Sequence, residues 1–427
     1  MTMGIFFGLA VILLVLGVPI AMTVGLASII FIIGEGIQLS IVIQRLFSGI
    51  DVTALLAIPF FVLAGELMGK GGIANRLVRL ASRGVGDKTG GLAMVAIITC
   101  MFFAAISGSG VATAAAIGGI MIPGMVIAKY DKSFAAAVIS TAAPIGVIIP
   151  PSISFVQYGV LTGSSIADLY KAGIPAGFII GASLMITAYI ISKKRGYKIE
   201  KDENQNEPRK SDTYSKRDLI EVLWALGTPI IIVGGVFGGI FTPTESAVVA
   251  VVYALLVGIF IFKELKVNEI MIVFKNSAIT SSRIMFIIAN ATLFSWVMTY
   301  QRIPQMIMEN MLSMTDNTFL LLLIINIVLL IAGTFMETGS IILIATPLLL
   351  PIINFIGMDL THFGILLTVN TAIGLTTPPF GVCLFTTANV AGLSVQAISK
   401  EVVYFIMAMI VGLMIITYFP QTVMFMV

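Results

Sequence analysis

The residues of this chain with the spacing to do chemistry come in pairs. The stretch from Ser140 to Pro151 has a counterpart from Thr368 to Pro379, about 228 residues later. In each, a glycine (Gly146, Gly374) stands four residues before a Pro-Pro pair inside apolar sequence. Upstream, Met121-Ile122-Pro123 is matched by Leu349-Leu350-Pro351, and 27 residues separate Pro123 from Pro150 and Pro351 from Pro378. Proline removes a backbone donor and blocks the helical bond to the residue four before it. The breaks should therefore free carbonyls around Gly146 to Ile149 and around Gly374 to Thr377. Carbonyls shielded from water are costly unless something meets them, and a cation does. Sodium suits such an oxygen cage, with hydroxyls from Ser107, Ser109, Thr338, Thr376 or Thr377 completing it. The plainer reading is a kinked, packed helix. Two symmetric copies favour the cage.

The apolar interior is expected to hold no Lys or Arg, so an anionic ligand would rest on helix N-termini, hydroxyls, amides and co-bound cations. Candidates are Ser109, Gly110 and Thr113 at one polar cluster, Ser152 and Ser154 after the first break, and Asn370 in the second half. Each hydroxyl could equally bond its own backbone. Among the acids, Glu337 is the candidate proton carrier. Glu245 reads as a first-turn cap, and Glu66 as an i, i+4 partner of Lys70. His362, the only histidine, is expected to be solvated beside an outer loop. Cys100 and Cys383 lie in separate apolar segments and read as packing residues rather than a disulfide or metal pair.

These residues must be positioned by membrane helices. The chain is 58% hydrophobic and 11% charged, with a mean hydropathy of +1.08, whereas soluble domains are about 25% charged. The fold class is an all-α polytopic membrane protein. The N-terminus lacks a basic region and a cleavage site, so it reads as a first span rather than a removed signal. Placing basic loops inside leaves only Arg45, Lys171 and Arg302 outside. The basic loop 70–88 corresponds in the second half to 301–317, which carries Arg302 alone, so corresponding loops lie on opposite sides and the repeats are inverted. Residues 1–192 form the first repeat, 193–218 a polar cytoplasmic linker and 219–427 the second repeat, each repeat with about five spans. Both chain ends lie outside. Interfacial helices are expected at 36–50 and 264–278, an amphipathic one within 70–88, and a separate span at 282–300. Residues 90–128 and 318–357 each carry a polar cluster at the midpoint, Ser107-Gly108-Ser109-Gly110 and Glu337-Thr338-Gly339-Ser340. They read as re-entrant hairpins whose tips face the broken helices 134–158 and 363–390, since irregular backbone at that depth must be buried or line a cavity.

The twin Pro-Pro breaks, the two polar tips and the basic linker resemble the large membrane subunit of a tripartite ATP-independent periplasmic (TRAP) transporter, over essentially the whole chain. The sequence also looks similar to the sialic-acid branch. The resemblance implies an elevator-type fold and sodium-driven uptake of organic acids, C4-dicarboxylates or sialic acid among them. It implies a periplasmic binding protein and a small membrane subunit of about four spans, the latter expected as a separate polypeptide in a heterodimer. It also implies a bacterial inner-membrane location, with no nucleic acid and no cofactor beyond sodium. Carried onto these residues, one sodium site would join Ser107 and Gly108 to Gly146, Ile149 and Pro151. The other would join Thr338 and Gly339 to Gly374, Thr377 and Pro379. No ATP-binding motif is present. A stand-alone carboxylate symporter of the same fold is a second reading. An intramembrane serine hydrolase using Ser109 is a remote one, because a nucleophile needs a base within hydrogen-bond reach and His362 is expected at a membrane edge.

Overall fold

The computed structural model describes residues 3–73, 76, 80–81, 89–197 and 216–427. Most of the expected amphipathic segment within 70–88 and most of the linker therefore lie outside the described residues. Among the described residues there are helices and no strands, and nine helices are long and apolar enough to cross a membrane.

The first half runs α1 (Met3–Val15), α2 (Ile20–Gly34), α3 (Ser40–Ile50) and α4 (Ala57–Lys70). It continues through a helical hairpin, α5 (Gly91–Ser107) and α6 (Gly110–Ile127). A broken helix follows, α7 (Lys132–Ala142) and α8 (Ile153–Thr162), and then α9 (Ile166–Arg195). The second half repeats this order. It comprises α10 (Lys216–Phe237), α11 (Pro243–Leu256), α12 (Val267–Tyr300) and α13 (Ile303–Met314). The second hairpin is α14 (Thr318–Phe335) and α15 (Thr338–Phe355), the second broken helix α16 (Leu360–Gly374) and α17 (Val382–Ala391), and α18 (Val395–Tyr418) is followed by the short α19 (Gln421–Met424). Both Pro-Pro bonds, Pro150–Pro151 and Pro378–Pro379, are cis.

One expectation fails. The interfacial helix 264–278 and the span 282–300 are a single 34-residue helix, α12, about 51 Å long at 1.5 Å per residue. Nothing between Val267 and Tyr300 interrupts it, since the segment contains neither Gly nor Pro. In the first half, Gly49-Ile50-Asp51 ends α3, and a short 3₁₀ turn over Thr53–Leu56 leads into α4.

The helices form two groups. In one, α1, α2 and α3 pack with α12 around Phe6, whose ring lies 5.6 Å from Phe31 and 5.7 Å from Phe294. The helix α4 packs between α11 and α12 in the same group. In the other, the broken helices form the centre: every residue from Phe134 to Ala142 and from His362 to Gly374 is buried. Small residues dominate the α7 segment (Ala135, Ala136, Ala137, Ser140, Thr141, Ala142), as suits a membrane interior where close backbone approach, rather than water exclusion, drives helix association. The two halves interlock here. The helix α8 packs on α15 of the second hairpin, and α17 packs on α6 of the first. A buried hydrogen bond of 3.0 Å joins Ser140 before the first break to Thr376 within the second.

The helix α18 sets the relative direction of the hairpins. Near its start, Glu401 takes a bidentate pair from Arg195 at 2.8 Å. Arg195 also reaches Asp131, which directly precedes α7, and the Tyr197 carbonyl accepts from the Gly90 amide at the foot of α5. At the far end of α18, Tyr418 stacks on Phe319 at the foot of α14, with ring centroids 4.2 Å apart. The feet of the two hairpins thus stand about 26 Å apart along one helix, while both tips line a single cavity. Each hairpin enters from its own face and turns back where it meets the other.

Candidate transport site

At the first tip, Gly108 takes a left-handed conformation (φ +58°), where a side chain would be strained and would also lie 2.8 Å from the Pro151 carbonyl. The tip is thereby closed onto the break. Ser109 caps α6, accepting from the Ala112 amide. The Thr113 hydroxyl donates to the Ser109 carbonyl at 2.8 Å and lies 3.0 Å from the Ser107 hydroxyl. A methyl added to Gly146 would sit 3.1 Å from the Ser109 carbonyl oxygen and 3.2 Å from the Thr113 hydroxyl. Ser107, Ser109, Thr113 and Gly146 therefore form one oxygen-rich cluster between tip and break. Thr113 belongs to this cluster and does not line the cavity where the sequence placed a substrate. The Ile149 amide bonds back to the Ile145 carbonyl, and its side chain occupies the space beside Gly177.

At the second tip, the Thr338 hydroxyl is buried with no hydrogen-bond partner, an expensive state in a water-poor interior. Gly339 abuts the side chain of Gln157 from the first half. The second break is less open than proline chemistry suggested. The Gly374 carbonyl accepts from the Thr377 amide at 3.0 Å, Leu375 from Cys383 at 2.9 Å and Thr377 from Gly381 at 3.1 Å. The turn itself re-satisfies carbonyls that the prolines release, leaving one lone pair on each oxygen. The Thr377 hydroxyl donates to Ile373. Gly374 meets Gly333 of α14 backbone to backbone: a methyl there would lie 2.4 Å from the Gly333 Cα. Pro379 completes the cis pair.

Between the tips lies a cavity of about 960 Å³. Ser107 to Ala112 of the first tip and Glu337 to Ser340 of the second line it, together with Ser154 and Gln157 of α8. The expected substrate residues Ser109, Gly110 and Ser154 are thus present. Ser152 is not: it is fully buried, donates to the Val147 carbonyl at 2.5 Å and caps α8 through the Phe155 amide. Asn370 is also elsewhere, donating to the side chain of Asn326 at 2.7 Å, which in turn reaches Thr417. That buried network ties α14, α16 and α18 together.

Three further expectations change. Lys70 and Arg283 both line the cavity, because α4 and the unbroken α12 bring their charged residues to its wall. Glu66 lines it too, and no ion pair joins it to Lys70. His362 is buried rather than solvated, with its Nε2 2.8 Å from the Ile416 carbonyl, so its ring is engaged on α18. Glu245 closes a capping box with Thr242, as expected, and Cys100 and Cys383 are free and buried. Glu337 is exposed to the cavity at the start of α15. The residue that sequence reading missed is Gln157. Its one signal was being the only amide in the apolar run from Phe155 to Leu161.

Residues 7–422 match the family model for the DctM component of tripartite ATP-independent periplasmic transporters. The chain belongs to that family. It is 44% identical over 423 residues to the isethionate TRAP transporter permease protein DctMQ of Oleidesulfovibrio alaskensis, covering 99% of this chain and 66% of that relative. The chain thus spans just under two thirds of that longer protein. It is 40% identical over 376 residues to the C4-dicarboxylate large permease DctM of Pseudomonas aeruginosa, covering 88% and 86% of the two chains. It is 34% identical over 412 residues to the sialic acid large permease SiaM of Vibrio cholerae, covering 96% and 94%. These relatives are named as permeases, not enzymes. Among solved structures, the Alcanivorax borkumensis YdaH transporter shares the fold, with a TM-score of 0.64 at 10% identity over 89% of this chain and 87% of that one.

Proposed function

We propose that this chain is the permease of a sodium-coupled uptake system for an organic acid, working as an elevator. The observation that carries the reading is the meeting of two oppositely directed tips at one cavity, each tip backed by a Pro-Pro break. An organic anion would occupy the cavity beside Ser109, Gly110, Ser154 and Ser340. Arg283 and Lys70 on the other helix group would offer it cationic partners and offset Glu66 and Glu337 on the same lining. Sodium, the coupling ion in this proposal, would be held by Ser107, Gly108, Gly146, Ile149 and Pro151 on one side and by Thr338, Gly339, Gly374, Thr377 and Pro379 on the other. The residues fit to that extent: the Thr338 hydroxyl is orphaned and the first cluster is built of oxygens.

The central group of hairpins and broken helices would move against α1 to α4 and α10 to α12. The names of the relatives, which cover isethionate, C4-dicarboxylates and sialic acid, support an organic acid as substrate. In this reading the chain sits in a bacterial inner membrane with its ends outside and its linker inside, as the charge distribution favours. A small membrane subunit and a periplasmic binding protein complete the system.

The test is uptake of labelled succinate, 2-hydroxyethanesulfonate and sialic acid into proteoliposomes holding the chain, its small subunit and its binding protein. An inward sodium gradient should drive uptake of at least one, and replacing sodium by choline should abolish it. Uptake indifferent to sodium contradicts the coupling and directs attention to Glu337 as a proton carrier. Uptake without the binding protein supports the stand-alone symporter instead.

A further inference from the structure

Gln157 stands where two cavities meet. It lines the 960 Å³ cavity between the tips and also a smaller one of about 180 Å³, which Ser48, Gly49 and Thr292 border from the other helix group. The residue is only 4% exposed, and its amide oxygen is buried with no hydrogen-bond partner. Its position is imposed from both sides. Ser152 fixes the start of α8 five residues earlier, and Gly339 of the second tip offers no side chain, so that the amide can lie against its backbone. A residue larger than glycine there would fill the amide's space: an added methyl would lie 2.8 Å from the Gln157 oxygen.

An acceptor packed here and left unpaired calls for a donor. The described residues supply none, and a carboxylate or sulfonate cannot supply one to this oxygen, because an ionised acid group only accepts. We infer that Gln157 selects organic anions that also carry a hydroxyl group, by accepting a hydrogen bond from that hydroxyl at the second tip. This inference rests on the organic-acid reading above and narrows the substrate class within it. The physics is that of a site built to bond a hydroxyl. An analogue lacking it leaves the acceptor stranded and is rejected more strongly than the loss of one ordinary contact would suggest.

Binding to the detergent-purified chain with its small subunit tests this without the selectivity of the periplasmic binding protein. Titration calorimetry would compare L-malate with succinate, and 2-hydroxyethanesulfonate with ethanesulfonate, in saturating sodium. The hydroxylated member of a pair should bind about tenfold more tightly or better. In Gln157→Met, which keeps the volume and removes the acceptor, the ratio should fall to about one through weaker binding of the hydroxylated member alone. Unchanged affinity for the unhydroxylated member shows that the variant cavity is folded, and the ratio in the unmodified protein needs no variant. Equal binding within both pairs, or a ratio that survives Gln157→Met, overturns the inference and leaves the organic-acid reading intact. Binding of neither pair contradicts that reading and this inference with it.

Discussion

At the residue scale, the account turns on oxygens with and without partners. The orphaned Thr338 hydroxyl separates two possibilities cleanly. Were it merely an unpaired group, Thr338→Val would be neutral or stabilising, because an isosteric apolar side chain removes a desolvation cost. As a cation ligand, it should raise the sodium concentration for half-maximal uptake about tenfold, with Thr338→Ser close to the unmodified protein. Sodium-dependent uptake curves decide between them. Asn370 makes the opposite prediction. Its amide nitrogen is committed to Asn326, away from the cavity lining, so Asn370→Ala should lower stability by about 1–3 kcal/mol, read as an earlier thermal transition, and leave substrate affinity within about twofold. A large affinity loss would return Asn370 to the substrate site. Sequence could name the hydroxyls but not their partners. Ser152, Thr113 and Asn370 look alike as polar residues in apolar runs, and only the folded neighbours assign one to a cap, one to an oxygen cluster and one to a helix network.

At the element scale, the paired breaks and polar tips were legible because proline, glycine and hydroxyls punctuate an otherwise apolar chain at matched spacing. The continuity of α12 was less so: its first half was expected to mirror 36–50 as a separate interfacial helix, and only the absence of Gly and Pro argued that it runs on. The free carbonyls of the second break were over-read, since a Pro-Pro turn can close its own hydrogen bonds, as Leu375 with Cys383 shows. The close approach of α16 to α14 at Gly374 and Gly333 gives a test of how tightly break and hairpin are joined. Gly374→Ala should cost about 1–3 kcal/mol by overpacking against backbone that cannot yield. Thermal unfolding of the purified protein should show it, and an unchanged transition would mean that the break and the hairpin are free to separate.

At the scale of the whole molecule, inverted repeats place two hairpins on opposite faces, and interlocking halves hold both tips at one cavity. The charges of the sequence led to the expectation of inversion, but nothing in it pointed to the crossing of α8 onto the second hairpin or of α17 onto the first, because such contacts join residues far apart in the chain. That crossing packs each hairpin on the other half's broken helix, as the proposed elevator requires. If the central group moves, the cavity must face each side of the membrane in turn. The most direct measurement is labelling of Ser340→Cys, in a background carrying Cys100→Ala and Cys383→Ala, with a membrane-impermeant thiol reagent applied from one face and then the other. The account predicts reaction from both faces, with sodium and substrate shifting the balance between them. Reaction from one face only, under every combination of sodium and substrate, would contradict it.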